Sequence, residues 1–280
     1  MAKELIALGI PVLYENVVTR ATGIKSPAVS VVNLYTRFTG DSASNLFSKF
    51  ADSSDYEVKF ITAGGYPVFE HYTTGTSTTY NDIVANMVAA VKGKGDEGGS
   101  GRGDAFVLID HTDNPSRTLV PTDSASVYAA VNSGNYALNT TYAAMFTPWV
   151  NYTTTTLAAN ITTSLPASFA YLYALGIAMQ SNPDYLAIAG VTRGNLNSNF
   201  KGLNIDKSLT NSIANNYQKD TGVSINAITN IRPYGLTIWG NRTLKNNDAG
   251  MKALSFLNIR SLMCDIKKQA YETATSLMFE

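Results

Sequence analysis

The residues best placed to do chemistry in this chain are Asp110, His111, Thr112 and Asp113, which follow the apolar run Ala105–Ile109. An acid at the end of a strand, with a histidine beside it, stands where open α/β sheets collect their ligands. Three readings are open. A serine hydrolase needs an acid, a histidine and a serine converging in space, and the chain contains no GxSxG elbow. Neighbouring Asp110 and His111 side chains on a strand would also point to opposite faces. A metal centre would draw on Asp110, His111 and Asp113, a thin set with a single histidine. The reading we favour is a strand-end turn in which Asp110 and Asp113 accept backbone N–H groups.

Other chemistry-bearing patterns are weaker. Gly93-Lys94-Gly95-Asp96-Glu97-Gly98 satisfies GxGxxG. A dinucleotide site needs a strand before that loop and a helix after it. Here a helical pattern precedes and a strand pattern follows, and Asp96 and Glu97 would repel phosphate. We expect a flexible loop and no nucleotide cofactor. Arg102-Gly103-Asp104 reads as a turn before a strand. The single cysteine, Cys264, rules out an internal disulfide framework. It sits among apolar neighbours and is expected to be a buried, inert thiol. With two histidines in the chain, neither a metal nor any other cofactor is expected.

The elements that must carry these residues alternate between strand and helix periods. Ala28–Leu34 and Tyr56–Thr62 read as strands, the second ended by Gly64-Gly65. Asp41–Phe50 reads as a helix, and Asn81–Lys92 as an amphipathic helix through Ile83, Val84, Met87, Val88 and Val91. Ala105–Asp110 reads as a central strand, Ser124–Asn132 as a helix and Tyr142–Val150 as a strand. Ser168–Met179 is apolar nearly all round and reads as a buried helix with Ser168 as its cap. Ser208–Lys219 reads as a polar helix. Leu236–Trp239 and Ser255–Ile259 read as strands. A last helix runs from about Ser261 to Phe279, with Leu262, Ile266, Ala270, Ala274, Leu277 and Met278 on its core stripe. Tyr72–Tyr80, Lys92–Gly103 and Thr153–Thr156 are expected to be surface loops. Strands alternating with helices predict an α/β fold with a mixed sheet flanked by helices.

Composition narrows the function. The 280 residues are 45% hydrophobic and 15% charged, with 21 basic against 21 acidic residues. A chain so apolar folds. With no basic excess it has nothing to displace counterions from nucleic acid, so no nucleic-acid partner is expected. No segment approaches the roughly 18 apolar residues of a membrane span, and the N-terminus lacks the basic-then-apolar pattern of a signal peptide. The light, balanced charge suits a protein that packs against copies of itself.

The second half of the chain carries an ordered series of motifs. Tyr142–Val150 ends in Pro148-Trp149, and Pro166-Ala167-Ser168 opens a helix. Ala189-Gly190-Val191-Thr192-Arg193-Gly194 forms a turn. Gly222–Asn226 comes next, followed by Trp239-Gly240-Asn241-Arg242-Thr243-Leu244 and by Asn258-Ile259-Arg260. This series resembles the tail sheath proteins of contractile-tailed bacteriophages and related injection machines, with the giant-phage branch the expected subgroup. The resemblance covers roughly residues 29–280. It implies a sheath core over 1–210, subtilisin-like by family likeness, and a smaller α+β C-terminal module over 211–280. It implies a structural protein, not an enzyme, that polymerises helically with itself around a tail tube and contracts. Baseplate and terminator proteins are the other implied partners, and the virion, after assembly in the host cytoplasm, is the implied location.

On that resemblance Pro148, Trp149, Arg193, Gly194, Trp239, Gly240, Arg242, Thr243 and Arg260 are structural residues. Trp239 is expected to anchor a core, Gly240 to make a turn, Arg242 to donate hydrogen bonds while half-buried, and Arg260 to cap or pair. The family pattern has a second arginine where this chain has Ser261, and it continues beyond Phe279-Glu280. The chain is therefore expected to be a fragment lacking terminal arms, and monomeric on its own. A hydrolase using Asp110 and His111, or a surface adhesin or carbohydrate-binding module suggested by the Thr, Asn and Tyr content, are the alternatives.

Overall fold

Strands that are apolar on both sides need cover on both faces of their sheet. A computed structural model shows how this chain supplies it, describing residues 46–53, 56–64, 80–110, 138–155, 160–183, 185–196, 202–205, 214–215, 217–218, 223–246 and 253–278. The expected elements at 28–34 and 124–132, most of 208–219, and His111, Thr112 and Asp113 lie outside these residues.

The central sheet contains β1 (Phe60–Thr62), β2 (Phe106–Asp110), β3 (Ala143–Thr147), β7 (Asn226–Ile231) and β8 (Gly235–Trp239), in that spatial order. The first four run parallel, and β8 returns antiparallel to β7. It is the mixed sheet the alternation predicts. Side chains alternate across it. Val107, Ile109, Ala143, Met145 and Ala227 face one core with Val84, Met87, Val88 and Val91 of helix α1 (Tyr80–Val91). Phe106, Leu108, Ala144, Phe146, Ile228 and Ile238 face the other, with Ala170, Tyr171, Ala174 and Leu175 of helix α2 (Ala167–Ala178). The sheet draws strands from both sides of residue 210, through the pairing of β3 with β7.

Several expectations change. Tyr142–Val150 is not one strand. The run ends at Thr147, whose peptide to Pro148 is cis, because proline has no N–H to continue a ladder. The chain then enters a second, antiparallel sheet made of β4 (Val150–Thr155), β5 (Asn160–Leu165) and β6 (Leu203–Asn204), in the order β5-β4-β6. Thr153–Thr155, expected in a loop, therefore lie in β4, where β-branched side chains fit a pleated surface. The described part of the Asp41–Phe50 helix is a 3-10 segment, Leu46–Ala51.

The C-terminal elements change most. Ser255–Ile259 is not a strand. A 3-10 turn at Ala253–Ser255 leads into helix α3 (Leu257–Met278), which starts four residues before the expected Ser261. The core face of α3 is Leu257, Arg260, Ser261 and Cys264, whereas Ile266, Ala270, Ala274, Leu277 and Met278 are exposed. No residue of α3 after Cys264 is buried, so most of the expected apolar stripe has no core to face, and the one covered face, near the start of the helix, includes the charged Arg260.

Candidate functional site

The later motif residues, Asn226 and those from Trp239 to Arg260, gather where α3 leaves the sheet. Asn226, fully buried at the start of β7, donates from Nδ2 to the carbonyls of Met145 (3.2 Å) and Arg242 (2.8 Å). Its Oδ1 accepts the Arg242 N–H at 2.7 Å. One side chain thus ties β3, β7 and the segment after β8 together. Gly240, at φ +140°, turns the chain at that point. A side chain there would strike Gln218 and sit 2.8 Å from Asn226 Oδ1. Arg242 is half-buried, stacks on the Phe256 ring (3.9 Å to the centroid) and donates to Ser255 Oγ at 3.3 Å. Thr243 is buried, its N–H donating to the Ser255 carbonyl (2.9 Å) and its hydroxyl to the Leu254 carbonyl (3.0 Å). Trp239 is half-buried against the α1-side core and donates from Nε1 to Asn215 at 2.8 Å.

Arg260 lies within α3 and grips the glycine-rich loop. Its guanidinium stacks 3.4 Å from the centroid of the buried Tyr142 ring and donates to Asp96 Oδ2 at 2.7 Å. The Tyr142 hydroxyl donates to the same oxygen at 2.8 Å. Glu97, at φ +48°, accepts the Thr140 hydroxyl (2.7 Å) and the Thr141 N–H (3.1 Å), and pairs with Lys245 at 3.3 Å. Residues 92–103 are therefore not the flexible surface loop that composition suggested. Gly93, Gly101 and Gly103 are buried, and a side chain on Gly101 would run into the Ala89 and Ala90 carbonyls. The glycines allow close backbone approach, and the two acids are anchors. Sequence alone reads Asp96 and Glu97 only as groups that repel phosphate. Their partners Thr140, Tyr142 and Arg260 lie more than 40 residues away in the chain, so no local signal links them.

Asp110 ends β2 and is buried. It faces the first turn of α2, where Oδ1 accepts the Ser168 N–H at 2.6 Å and Oδ2 accepts the Ser168 hydroxyl at 2.9 Å. A carboxylate at a helix N-terminus meets unsatisfied N–H groups and the positive end of the dipole. Burial pushes its carboxyl up to about 6, against hydrogen bonds from Ser168 and Ala167 that favour the charged form. Two expectations are corrected here. The N-cap position is Pro166 and makes no side-chain cap. Asp110 does that work from another strand, not in a local turn, and Ser168 is its donor. With Asp110 6% and Ser168 1% exposed, this acid–serine pair is a buried joint between β2 and α2.

The remaining motif residues lie elsewhere in the fold. Pro148 is buried at the corner between the two sheets, and Trp149 is half-buried beside it. Arg193 is exposed and donates to the Ala187 carbonyl at 2.9 Å. Gly194 is buried, and its carbonyl accepts the Ile238 N–H at 2.8 Å, covering the outer edge of β8. Arg102 and Asp104 of the RGD tripeptide pair with each other, leaving the arginine side chain 2% exposed. Cys264 is buried and its thiol is pushed up to about 11 by burial. A cleft of about 430 Å³ beside α3 is lined by Ser53, Glu57, Arg102, Asp104, Lys267 and Lys268 among others. Among the described residues no group of three or more His, Cys, Asp or Glu is placed to hold a metal, and no helix is long and apolar enough to cross a membrane.

No protein-family model and no curated protein matches the chain. Solved structures do. A chain of the contracted sheath complex of an extracellular contractile injection system, PVC, superposes with a TM-score of 0.51 at 20% identity, over 80% of this chain and 49% of that one. A chain of the 6-fold symmetrised anti-feeding prophage baseplate gives 0.52 at 16% identity, over 94% and 62%. One from the contracted baseplate of the same system gives 0.50 at 18%, over 84% and 54%. The fold is thus the one found in the sheath of a contractile injection system. The chain spans about half to three-fifths of the length of these neighbours.

Proposed function

We propose that this protein is a structural subunit of a contractile tail sheath, without a catalytic role. The supporting observation is that the later motifs of the series resembling sheath proteins meet in a joint, Asn226–Arg242–Thr243 and Arg260 with Asp96 and Tyr142, within a fold shared with a contracted sheath complex. Every polar side chain of that joint is turned towards another part of the chain. Such a joint makes a stiff body that carries load between elements, which a subunit moved as a block between two packings needs. The site residues Pro148, Trp149, Arg193, Gly194, Trp239, Gly240, Arg242, Thr243 and Arg260 serve this role.

In this reading the subunit polymerises helically around a tail tube, joins a baseplate at one end and a terminator at the other, and belongs to a phage virion assembled in the host cytoplasm. Contraction then drives the tube through the host envelope for genome ejection. Heterologous contacts whose rotation does not close give such open helices. The test is assembly. The complete protein, expressed with its tube protein, should form tubes visible by negative-stain microscopy. A complete protein that stays monomeric at high concentration sinks the proposal.

A further inference from the structure

Helix α3 is seated on the body by one end only. Its buried residues, Leu257, Arg260, Ser261 and Cys264, all lie near its start. Arg260, 4% exposed, clasps that end to Asp96 and Tyr142. Over residues 265–278 the side chains are exposed, except Asp265, Lys268 and Thr275, which are partly covered. Apolar packing therefore stops at Cys264. Ile266, Tyr271, Leu277 and Met278 stand between 49% and 77% exposed.

What reaches the body from this stretch is charge. Lys59 Nζ, just before β1, donates to both carboxylate oxygens of Asp265, at 2.8 and 2.9 Å. Lys268 pairs with Glu57, two residues earlier than Lys59. The Lys267 ammonium extends over the backbone of Gly93 and Gly103. Beside these contacts lies the cleft of about 430 Å³, to whose lining α3 contributes Lys267, Lys268, Tyr271 and Glu272. Open space, not packed side chains, separates the helix from the body there.

The two ion pairs are crossed. The segment before β1 offers a negative charge at 57 and a positive one at 59, and α3 offers a negative charge at 265 and a positive one at 268. Residues three apart share a helix face. A slide that brought Asp265 to Glu57 would oppose like charges, so the pairs fix where the helix lies. They fix it weakly. The Lys59 and Asp265 side chains are 26% and 25% exposed, and Glu57 is 83% exposed. Ion pairs that water reaches are weak and screened by salt. A helical segment of this length is marginal by itself in water, and regions with few buried apolar contacts open at low cost.

We propose that residues 265–278 open from the body as a unit, hinged at Cys264, with the Lys59–Asp265 and Glu57–Lys268 pairs as a salt-sensitive latch. The start of α3 stays seated, because its buried residues and the Arg260 clasp do not depend on those pairs. This inference stands apart from the sheath reading and would hold for the single chain whatever it assembles into.

The test is amide hydrogen exchange of the 280-residue chain, corrected for the effect of salt on exchange in unfolded peptides. Raising salt from about 0.1 M to about 1 M shortens the screening length from about 10 Å to about 3 Å. Exchange over residues 266–278 should then speed up about threefold or more, while residues 257–264, β2 and β3 stay unchanged. Glu57→Lys, which faces Lys268 with a like charge, should do the same at low salt. Adding Lys268→Glu to that variant reverses the pair and should bring exchange back towards the wild-type rate. Cys264 reports on the hinge. Its buried thiol should stay unreactive towards a disulfide reagent under every condition that opens the outer part. Exchange that ignores both salt and Glu57→Lys overturns the proposal, as does a reversed pair that restores nothing. A Cys264 thiol that becomes reactive in step with exchange would mean that the whole helix leaves, and overturns the hinge as well.

Discussion

The two faces of the central sheet solve opposite problems. On the α1 side, ion pairs link the glycine-rich loop, the segment before β1 and α3: Arg260–Asp96, Lys245–Glu97, Lys59–Asp265 and Lys268–Glu57. On the α2 side the sole charged group in the described core is Asp110, spent on a helix N-terminus. The first face is fastened within the chain. The second carries no charge on α2, and Gly176 stands exposed on its outer side. Charge placed inside a fold closes it, because each desolvated ion must be matched on the spot.

The sharpest way to break this contrast is to cut the fastened face. Arg260→Ala removes the Asp96 pair and the stacking on Tyr142 together, leaving the acid without its cation. We expect a loss of about 3 kcal/mol in urea denaturation, at the low end of buried pairs because Asp96 is a third exposed. A change within about 0.5 kcal/mol would show the clasp to be decorative.

Asp110 tests the other face by pH. Its folded value of about 6 lies above the ordinary carboxylate value. The stability tied to its protonated form is therefore complete below about pH 4 and lost as pH rises through about 6, amounting to at most about 3 kcal/mol. Asp110→Asn should flatten the stability profile between about pH 4 and about pH 7. If the slope persists in that variant, it arises elsewhere.

Smaller effects sharpen the comparison. Gly240→Ala combines a positive φ with contact against Gln218 and Asn226, and should cost about 2 kcal/mol. Trp239→Phe loses one hydrogen bond to Asn215 and should cost about 1 kcal/mol. Gly176→Ala on the open face should add roughly 0.5–1 kcal/mol to the monomer, since it replaces a helix glycine without a clash. Opposite signs at Gly240 and Gly176 in the same denaturation assay would confirm that one glycine is required by the fold and the other is not.

The elements that were legible early share a short-range cause. The buried run Phe106–Asp110, the α1 periodicity and the β8 strand each follow from apolar spacing within a dozen residues. The boundaries that moved did so for reasons spacing does not carry. Pro148 diverted a strand into a second sheet, and Asp110 took over a capping role from Ser168. The site was visible only as a motif series. Trp239, Arg242 and Arg260 could be named, but their partners Asn226, Asp96 and Tyr142 could not be assigned.

By itself the sequence determined the α/β alternation, the lack of charge between residues 124 and 183 and the absence of a GxSxG elbow. Those are properties of composition and local period. Only the tertiary structure decided which face of α3 is covered, that the glycine-rich loop is anchored, and that Arg260 sits in the core while Ile266 does not. The reason is that a charge can be buried only where its counter-charge already waits. That counter-charge, Asp96, arrives from 164 residues away.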